Sequence, residues 1–355
     1  METLIKSWDG EAIVSRFDQE TSTWMFIAIH STALGVPTGG TRLKTYPTPH
    51  DALFDAMRLA EGMTYKWAGV EFPRGGGKAV LDIPESFDPS QREGLITRYG
   101  RWLADLNGIF ETGPDLGTTP SDMALIRRGF NGVFGCPTDL GGAGDPGPYT
   151  ALGVFSGIRA SCEQRFNSLD LNGRSVLVQG VGSVGRPLIN LLLEAGCDVK
   201  FSDLDSARID EVRGELGLSF VEPEAVYGEP CDVFAPCATG GILNAKTNPQ
   251  LKCLIVAGGA NNQLEQTQDG EALHQRDILY APDYIINAGG AIYLLAVENM
   301  GWSVSKAEDR IVEIGDTLKD IYAHAEKSGI NTMKAAEELA KGRVKQAAQK
   351  KLAEI

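Results

Sequence analysis

Residues 175–205 read SVLVQGVGSVGRPLINLLLEAGCDVKFSDLD, and no other stretch of the chain restricts the fold so tightly. SVLVQ is a buried-strand run, the glycines at 180, 182 and 185 follow at once, an apolar-periodic helix runs to Ala195, and VKFSD is a second strand. This is a βαβ unit of the expected length. Gly180 permits a tight turn, and Gly182 lets a pyrophosphate approach the backbone, with Ser183 and Val184 in the same turn. Gly185 lets the helix pack on the strand with its N-terminus toward the phosphates. Asp203 ends the second strand, 23 residues after Gly180, placed to accept hydrogen bonds from the adenosine ribose. Its charge repels a 2′-phosphate, so the expected cofactor is NAD. The competing reading is a Rossmann-like turn that has lost its nucleotide, and the strand-turn-helix context argues against it.

At 355 residues the chain exceeds what one core usually supports, so two domains are expected. The motif GGAGDPGP at 141–148 marks the break. Before it, AIVSRF (12–17) and WMFIAIH (24–30) read as strands. Thr48 and Pro49 open a helix with Leu53, Met57 and Ala60 on one face, and a second helix covers 90–106. After it, runs at 232–236, 253–257 and 284–287 read as further strands of a doubly wound sheet, and the chain is helical from 306 onward. The expected fold is α/β in two domains with a cleft between them. Residues 1–140 plus 325–355 form a mixed α/β substrate and oligomerisation domain, and 141–324 a Rossmann NAD-binding domain. No internal repeat or low-complexity tract is present.

A net charge of −14 argues against a nucleic-acid partner. The apolar runs fall short of a membrane span, and METLIKSWDGEAI does not read as a signal peptide, so a cytoplasmic protein is expected. The six cysteines are widely spaced with no C-x-x-C pair and the four histidines do not cluster, which points to free thiols and no metal.

Two lysines stand out twelve residues apart in MTYKWAGVEFPRGGGKAV: Lys66 among apolar and aromatic residues, and Lys78 after three glycines. A P-loop is excluded, because it would need Gly at 72 and Ser or Thr at 79, where the chain has Phe72 and Ala79. Snorkelling side chains or structural ion pairs are the plain alternatives. Beside a nicotinamide, however, protein groups must orient the substrate and move its protons. Two ammonium groups in one cleft depress each other's pKa, and desolvation adds to this, so one can act as a base while the other holds a carboxylate.

MTYK and GGGK, preceded by GGTR at 39–42 and followed by TGPDLGTT at 112–119, GGANNQL at 258–264 and NAGG at 287–290, resemble the dehydrogenases that act on glutamate, leucine, valine and phenylalanine. The likeness covers nearly the whole chain and is strongest to the phenylalanine dehydrogenases of the shorter, actinobacterial type. It implies that Lys66 binds the substrate carboxylate with the Gly40 backbone and the Asn262 amide. Lys78 would be the catalytic lysine, Asp115 would exchange protons with the amino group, and the Pro114 carbonyl would accept from the same ammonium. Thr150, Ala238, Ala260 and Asn287 would lie near the nicotinamide and its ribose. The implied reaction is reversible oxidative deamination of an L-amino acid to a 2-oxo acid and ammonia, by a homo-oligomer. Hydride leaves Cα for NAD⁺, water activated by Lys78 attacks the iminium, and Asp115 protonates the departing ammonia.

Side-chain choice rests on fewer residues. Glutamate enzymes of this family carry a lysine where this chain has Thr38. Gly113 matches a glycine of the phenylalanine enzymes, and the missing methyl makes room for a ring edge. Ala291 and Leu294, one helical turn apart, would form the opposite wall. L-phenylalanine is the expected substrate, with leucine, valine, methionine or tryptophan as rivals, because one methylene in an apolar pocket discriminates by only about 1 to 3 kcal/mol. A Gly-Pro turn alone would also account for Gly113. A protein that senses NAD without turnover is the competing class. It would need the glycine motif and Asp203 but has no use for Lys66, Lys78 and Asp115 together.

Overall fold

The computed structural model describes residues 2–353 and divides into two compact units. The first comprises 1–144 with 294–302 and 340–355, and the second 145–293 with 303–339.

In the first unit, β1 (Ala12–Asp18), β2 (Thr23–Ser31), β3 (Pro37–Lys44), β4 (Gly75–Asp82) and β5 (Glu111–Pro114) form a sheet in the order β1-β2-β4-β3-β5. β1 and β4 flank β2 antiparallel, whereas β4 and β5 flank β3 parallel. The crossover from β3 to β4 is helix Pro49–Gly69. It begins as the sequence suggests: the Thr48 hydroxyl accepts from the Asp51 N–H and Pro49 occupies the first turn. Strand alternation builds two cores. Met25, Ile27, Ile29, Ala79 and Leu81 pack with Tyr99 and Trp102 of helix Arg92–Asp105, while Phe26, Ala28 and Val80 pack with Leu53, Ala56 and Met57 of the crossover helix.

In the second unit, β6 (Ser175–Gln179), β7 (Asp198–Ser202), β8 (Ser219–Phe220), β9 (Val233–Pro236), β10 (Ile255–Val256) and β11 (Leu279–Tyr280) form an all-parallel sheet in the order β11-β10-β9-β6-β7-β8. This is the Rossmann order. The winding reverses between β6 and β9, so the carboxyl ends of these two strands open where such sheets bind a ligand.

Two expectations change. The run at 284–287, read as a strand, is instead helix Asp283–Ile286, started by Pro282; a four-residue apolar run carries no periodicity to separate the two. The return to the first unit falls at Ala340 rather than 325, and 294–302 return as well. Tyr322 Oη lies 2.7 Å from Ser161 Oγ and Thr332 donates to the Tyr280 carbonyl, which holds 303–339 to the Rossmann unit. Arg343 donates to the Gly69 carbonyl and pairs with Glu71, and Trp302 packs edge-on to Phe72, which holds the other two segments to the first unit. All six cysteines are free. Among the described residues no helix is long and apolar enough to cross a membrane.

Candidate functional site

In the first unit, sheet register assembles a charged cluster from distant parts of the sequence. Gly40 on β3 stands opposite Gly113 on β5, and Thr41 stands between Ala79 and Pro114. A Cβ at Gly40 would lie 2.8 Å from the Asp115 side chain, 2.9 Å from the Pro114 carbonyl oxygen and 3.3 Å from Lys78 Nζ. The structure therefore brings Gly40, Lys78, Pro114 and Asp115 together. The turn after β5 is tied down by Thr118, whose hydroxyl donates to the Thr41 carbonyl and accepts from the Asp115 N–H.

Lys78 is 5% exposed, and its Nζ lies 3.2 Å from Asp115 Oδ1. Burial depresses the lysine, Asp115 opposes that, and the nearby Arg42 guanidinium depresses it further; the net direction is down. Burial alone would raise Asp115, but Lys78 and Arg42 outweigh it and hold the carboxyl below the usual range. Arg42 thus exerts on Lys78 the effect expected of a second lysine. Arg42 Nε donates to Asp115 Oδ2 at 2.7 Å and its Nη1 to Asp55 Oδ2 at 2.9 Å. Arg42 and Thr118 lie in the GGTR and TGPDLGTT motifs, whose spacing gives neither a role, and Asp55 reads from periodicity only as part of a polar helix face. The signals were a charge on a glycine-rich strand and the TT that follows PDLG.

Lys66 occupies the last turn of the crossover helix, half-buried. Thr38 is fully buried; its hydroxyl donates to the Val36 carbonyl at 2.9 Å and lies 3.5 Å from Glu111 Oε2. The reading of Gly113 is corrected. A Cβ there would overlap the ring of Phe134, so the space left by the missing methyl is taken by the protein's own aromatic side chain and is not open to a substrate ring. Phe134 is buried, and the next residue, Gly135, stands with φ +76° against Pro114 and Leu294. Gly113→Ala is expected to displace the Phe134 ring, lowering Tm and changing the ranking of amino acid substrates measured as kcat/KM. An unchanged Tm and ranking would show that the ring yields without consequence.

In the second unit, a cavity of about 630 Å³ lies at the carboxyl ends of β6, β7 and β9, lined by Gly180, Gly182, Ser183, Val184, Asp203 and Ala238, among others. Gly180 has φ +91°, and a Cβ at Gly182 would meet nothing nearer than the tip of Arg208 at 3.6 Å, so the backbone there is open to a ligand. The Asp203 carboxylate accepts from the N–H groups of Val181, Leu204 and Asp205, which fixes it at the rim. These groups fit a dinucleotide: an open glycine turn at a helix N-terminus for the pyrophosphate, and a fixed carboxylate for the ribose hydroxyls. Nearby, Asn287 Nδ2 donates to Asn261 Oδ1 at 2.7 Å and approaches the Ala260 carbonyl at 3.4 Å, and Asn262, with φ +50°, accepts from the Gly241 N–H. Thr150 lies in the first turn of helix Gly147–Phe166 and donates to the Pro146 carbonyl, and Ala291 shares helix Gly289–Leu294 with Leu294. The buried Gln263, which bridges the Gly258 and Ala260 carbonyls, lies in the GGANNQL motif, whose spacing gives it no role. Among the described residues no cluster could hold a metal ion.

A Rossmann sheet with an intact dinucleotide turn, in a chain that also carries a buried lysine and carboxylate, defines a dinucleotide-dependent oxidoreductase. Residues 200–351 match the model of glutamate/leucine/phenylalanine/valine dehydrogenases, and 16–131 match the dimerisation domain of the same enzymes. Leucine dehydrogenase from Geobacillus stearothermophilus is 39% identical over 340 residues, 96% of this chain and 92% of that protein. Phenylalanine dehydrogenase from Thermoactinomyces intermedius is 38% identical over 344 residues, 96% and 93% of the two chains. L-tryptophan dehydrogenase from Nostoc punctiforme is 44% identical over 320 residues, 90% and 88% of the two. Its crystal structure superposes with a TM-score of 0.89 at 39% identity over 98% of this chain and 100% of that one. The chain belongs to the glutamate/leucine/phenylalanine/valine dehydrogenase family, amino acid dehydrogenases that use NAD(H).

Proposed function

We propose that this chain catalyses the reversible oxidative deamination of an L-amino acid with an apolar side chain, L-phenylalanine first, to the 2-oxo acid and ammonia. The single observation that carries the chemistry is the pair of buried Lys78 and half-buried Asp115 at 3.2 Å, with the lysine depressed toward its neutral form. Bound NAD⁺ supplies the hydride acceptor. Lys66, with the Gly40 backbone, orients the substrate carboxylate, and the Pro114 carbonyl accepts from its amino group. Positive charge at Arg42 disfavours a bound cationic ammonium, and the proton it loses passes to the Asp115 carboxylate. Once Cα has lost hydride, Lys78 takes a proton from the water that attacks the iminium carbon. Asp115 then returns the proton it took from the substrate to the departing nitrogen and accepts the hydroxyl proton as the carbon–nitrogen bond breaks, leaving ammonia and the 2-oxo acid.

Phenylalanine is favoured by the shared sequence motifs, and the absence of a lysine at Thr38 disfavours glutamate. Tryptophan is the second reading, supported by the 44% identity to the Nostoc enzyme. The match of 16–131 to a dimerisation domain supports a homo-oligomer. The test is the initial rate of NADH formation with NAD⁺ and L-Phe, L-Trp, L-Leu, L-Val and L-Glu in parallel at alkaline pH, compared as kcat/KM. Phenylalanine is expected to lead. A lead for leucine or tryptophan would overturn the substrate and keep the chemistry, and no turnover of any amino acid would overturn both.

A further inference from the structure

Four charged side chains from four chain segments make an alternating string: Asp55 on the crossover helix, Arg42 on β3, Asp115 after β5 and Lys78 on β4. Arg42 and Asp115 are the two inner members, each with two partners of opposite charge, and the two contacts of Arg42 differ in kind. Nη1 reaches Asp55, whose carboxylate is itself held by Tyr46 Oη at 2.6 Å and Arg58 Nη2 at 2.8 Å. Nε reaches Asp115 Oδ2, whereas the lysine pairs with Oδ1. Only Asp115 Oδ1 is left within 3.2 Å of the lysine.

We propose that Arg42 is a positioning residue for proton transfer: anchored by Asp55, it commits Oδ2 of Asp115 to a fixed hydrogen bond, so that Oδ1 is the oxygen that exchanges protons with the substrate nitrogen. The assignment rests on the deamination chemistry proposed above and adds to it which carboxylate oxygen works and what holds it. A planar guanidinium can bridge two carboxylates through separate nitrogens, whereas an ammonium at the end of a flexible chain cannot fix both directions. Arg42 also acts on Lys78 as charge. The groups that bear on Lys78 are Asp115, Arg42 and Asp55, and Ala28, opposite it on β2, carries none. Arg42 and Asp115 push the lysine in opposite directions, so removing Arg42 allows its pKa to rise.

The experiment compares wild type, Arg42→Lys, Arg42→Gln and Asp55→Asn. It measures kcat and both KM values across pH with the best amino acid of the substrate panel, and NADH binding by fluorescence. Arg42→Gln is expected to lower kcat on the order of 10²-fold through misplacement of Asp115, with KM for NAD⁺ and NADH binding unchanged. The rising limb of its pH–rate profile, set by deprotonation of Lys78, should move to higher pH. Arg42→Lys should keep the limb in place and recover only part of kcat, and Asp55→Asn should lower kcat roughly tenfold. An Arg42→Gln protein that binds NADH normally, keeps kcat within about twofold and shows an unmoved limb overturns the proposal. If that variant does not fold, undiminished kcat in both Arg42→Lys and Asp55→Asn overturns it instead. A wild type that turns over no amino acid overturns the functional reading itself, a result distinct from an active wild type indifferent to Arg42.

Discussion

Lys78→Ala is expected to lower kcat by about 10²- to 10⁴-fold, the range for losing a general base, while NADH binding to the Rossmann unit persists. The fold should tolerate the change. A lysine whose folded pKa lies below its unfolded value opposes folding while it is charged. That penalty is present below the folded pKa and gone above the unfolded one, so its removal does not weaken the protein at neutral pH. Asp115 keeps a partner, because Arg42 Nε remains 2.7 Å from Oδ2. The residual rate of the variant should no longer rise with pH where wild type does. The measurement is NADH formation across pH beside NADH fluorescence titration. Loss of cofactor binding along with turnover would mean that Lys78 acts on the whole fold, and full activity would remove it from the chemistry. A protein that only senses NAD would keep its binding and have no turnover to lose.

The Rossmann unit was open to sequence reading because its constraints are local. A positive φ at Gly180 and the rim carboxylate of Asp203 are properties of a single βαβ segment, readable from residue type and spacing. The first unit was harder, because PTGGT, GGGK and TGP carry too many glycines to signal strands, yet they are β3, β4 and β5. Glycine is used there for packing: a Cβ at Gly76 would overlap the Thr64 hydroxyl of the crossover helix. Resemblance identified Lys78 and Asp115, but their meeting depends on pairing β3 with both β4 and β5, and nothing in the spacing of Arg42, Asp55 and Thr118 reveals it. Gly113 shows the opposite failure. The residue type was read correctly as a missing methyl, but what fills the gap, Phe134, is twenty-one residues away and reaches it only through the fold.

Asp115→Asn is expected to lower kcat by about 10²- to 10⁴-fold as well, since an amide cannot deliver the proton that the departing nitrogen requires. Its effect on pH dependence separates it from every other change in the cluster. Asp115 is the main charge that raises Lys78 against burial; without it the lysine faces Arg42 with less compensation, and its pKa falls further. The rising limb of the residual rate should therefore move to lower pH, opposite to the shift expected for Arg42→Gln. Stability should also respond. A carboxylate held below its unfolded pKa contributes stability at pH above that unfolded value and loses it only as pH falls through the folded one, so the asparagine variant should have a lower Tm at neutral pH and approach wild type in acid. The profile is read from steady-state rates across pH and the stability from thermal melts at neutral and acid pH. A limb that moves upward, or does not move while the rate collapses, would mean that the titrating base is not Lys78. The pair would then have to be read as one structural ion pair supporting another group. A limb that moves down while Arg42→Gln moves up would establish that one buried ammonium, balanced between a carboxylate and a guanidinium, sets the pH at which this enzyme works.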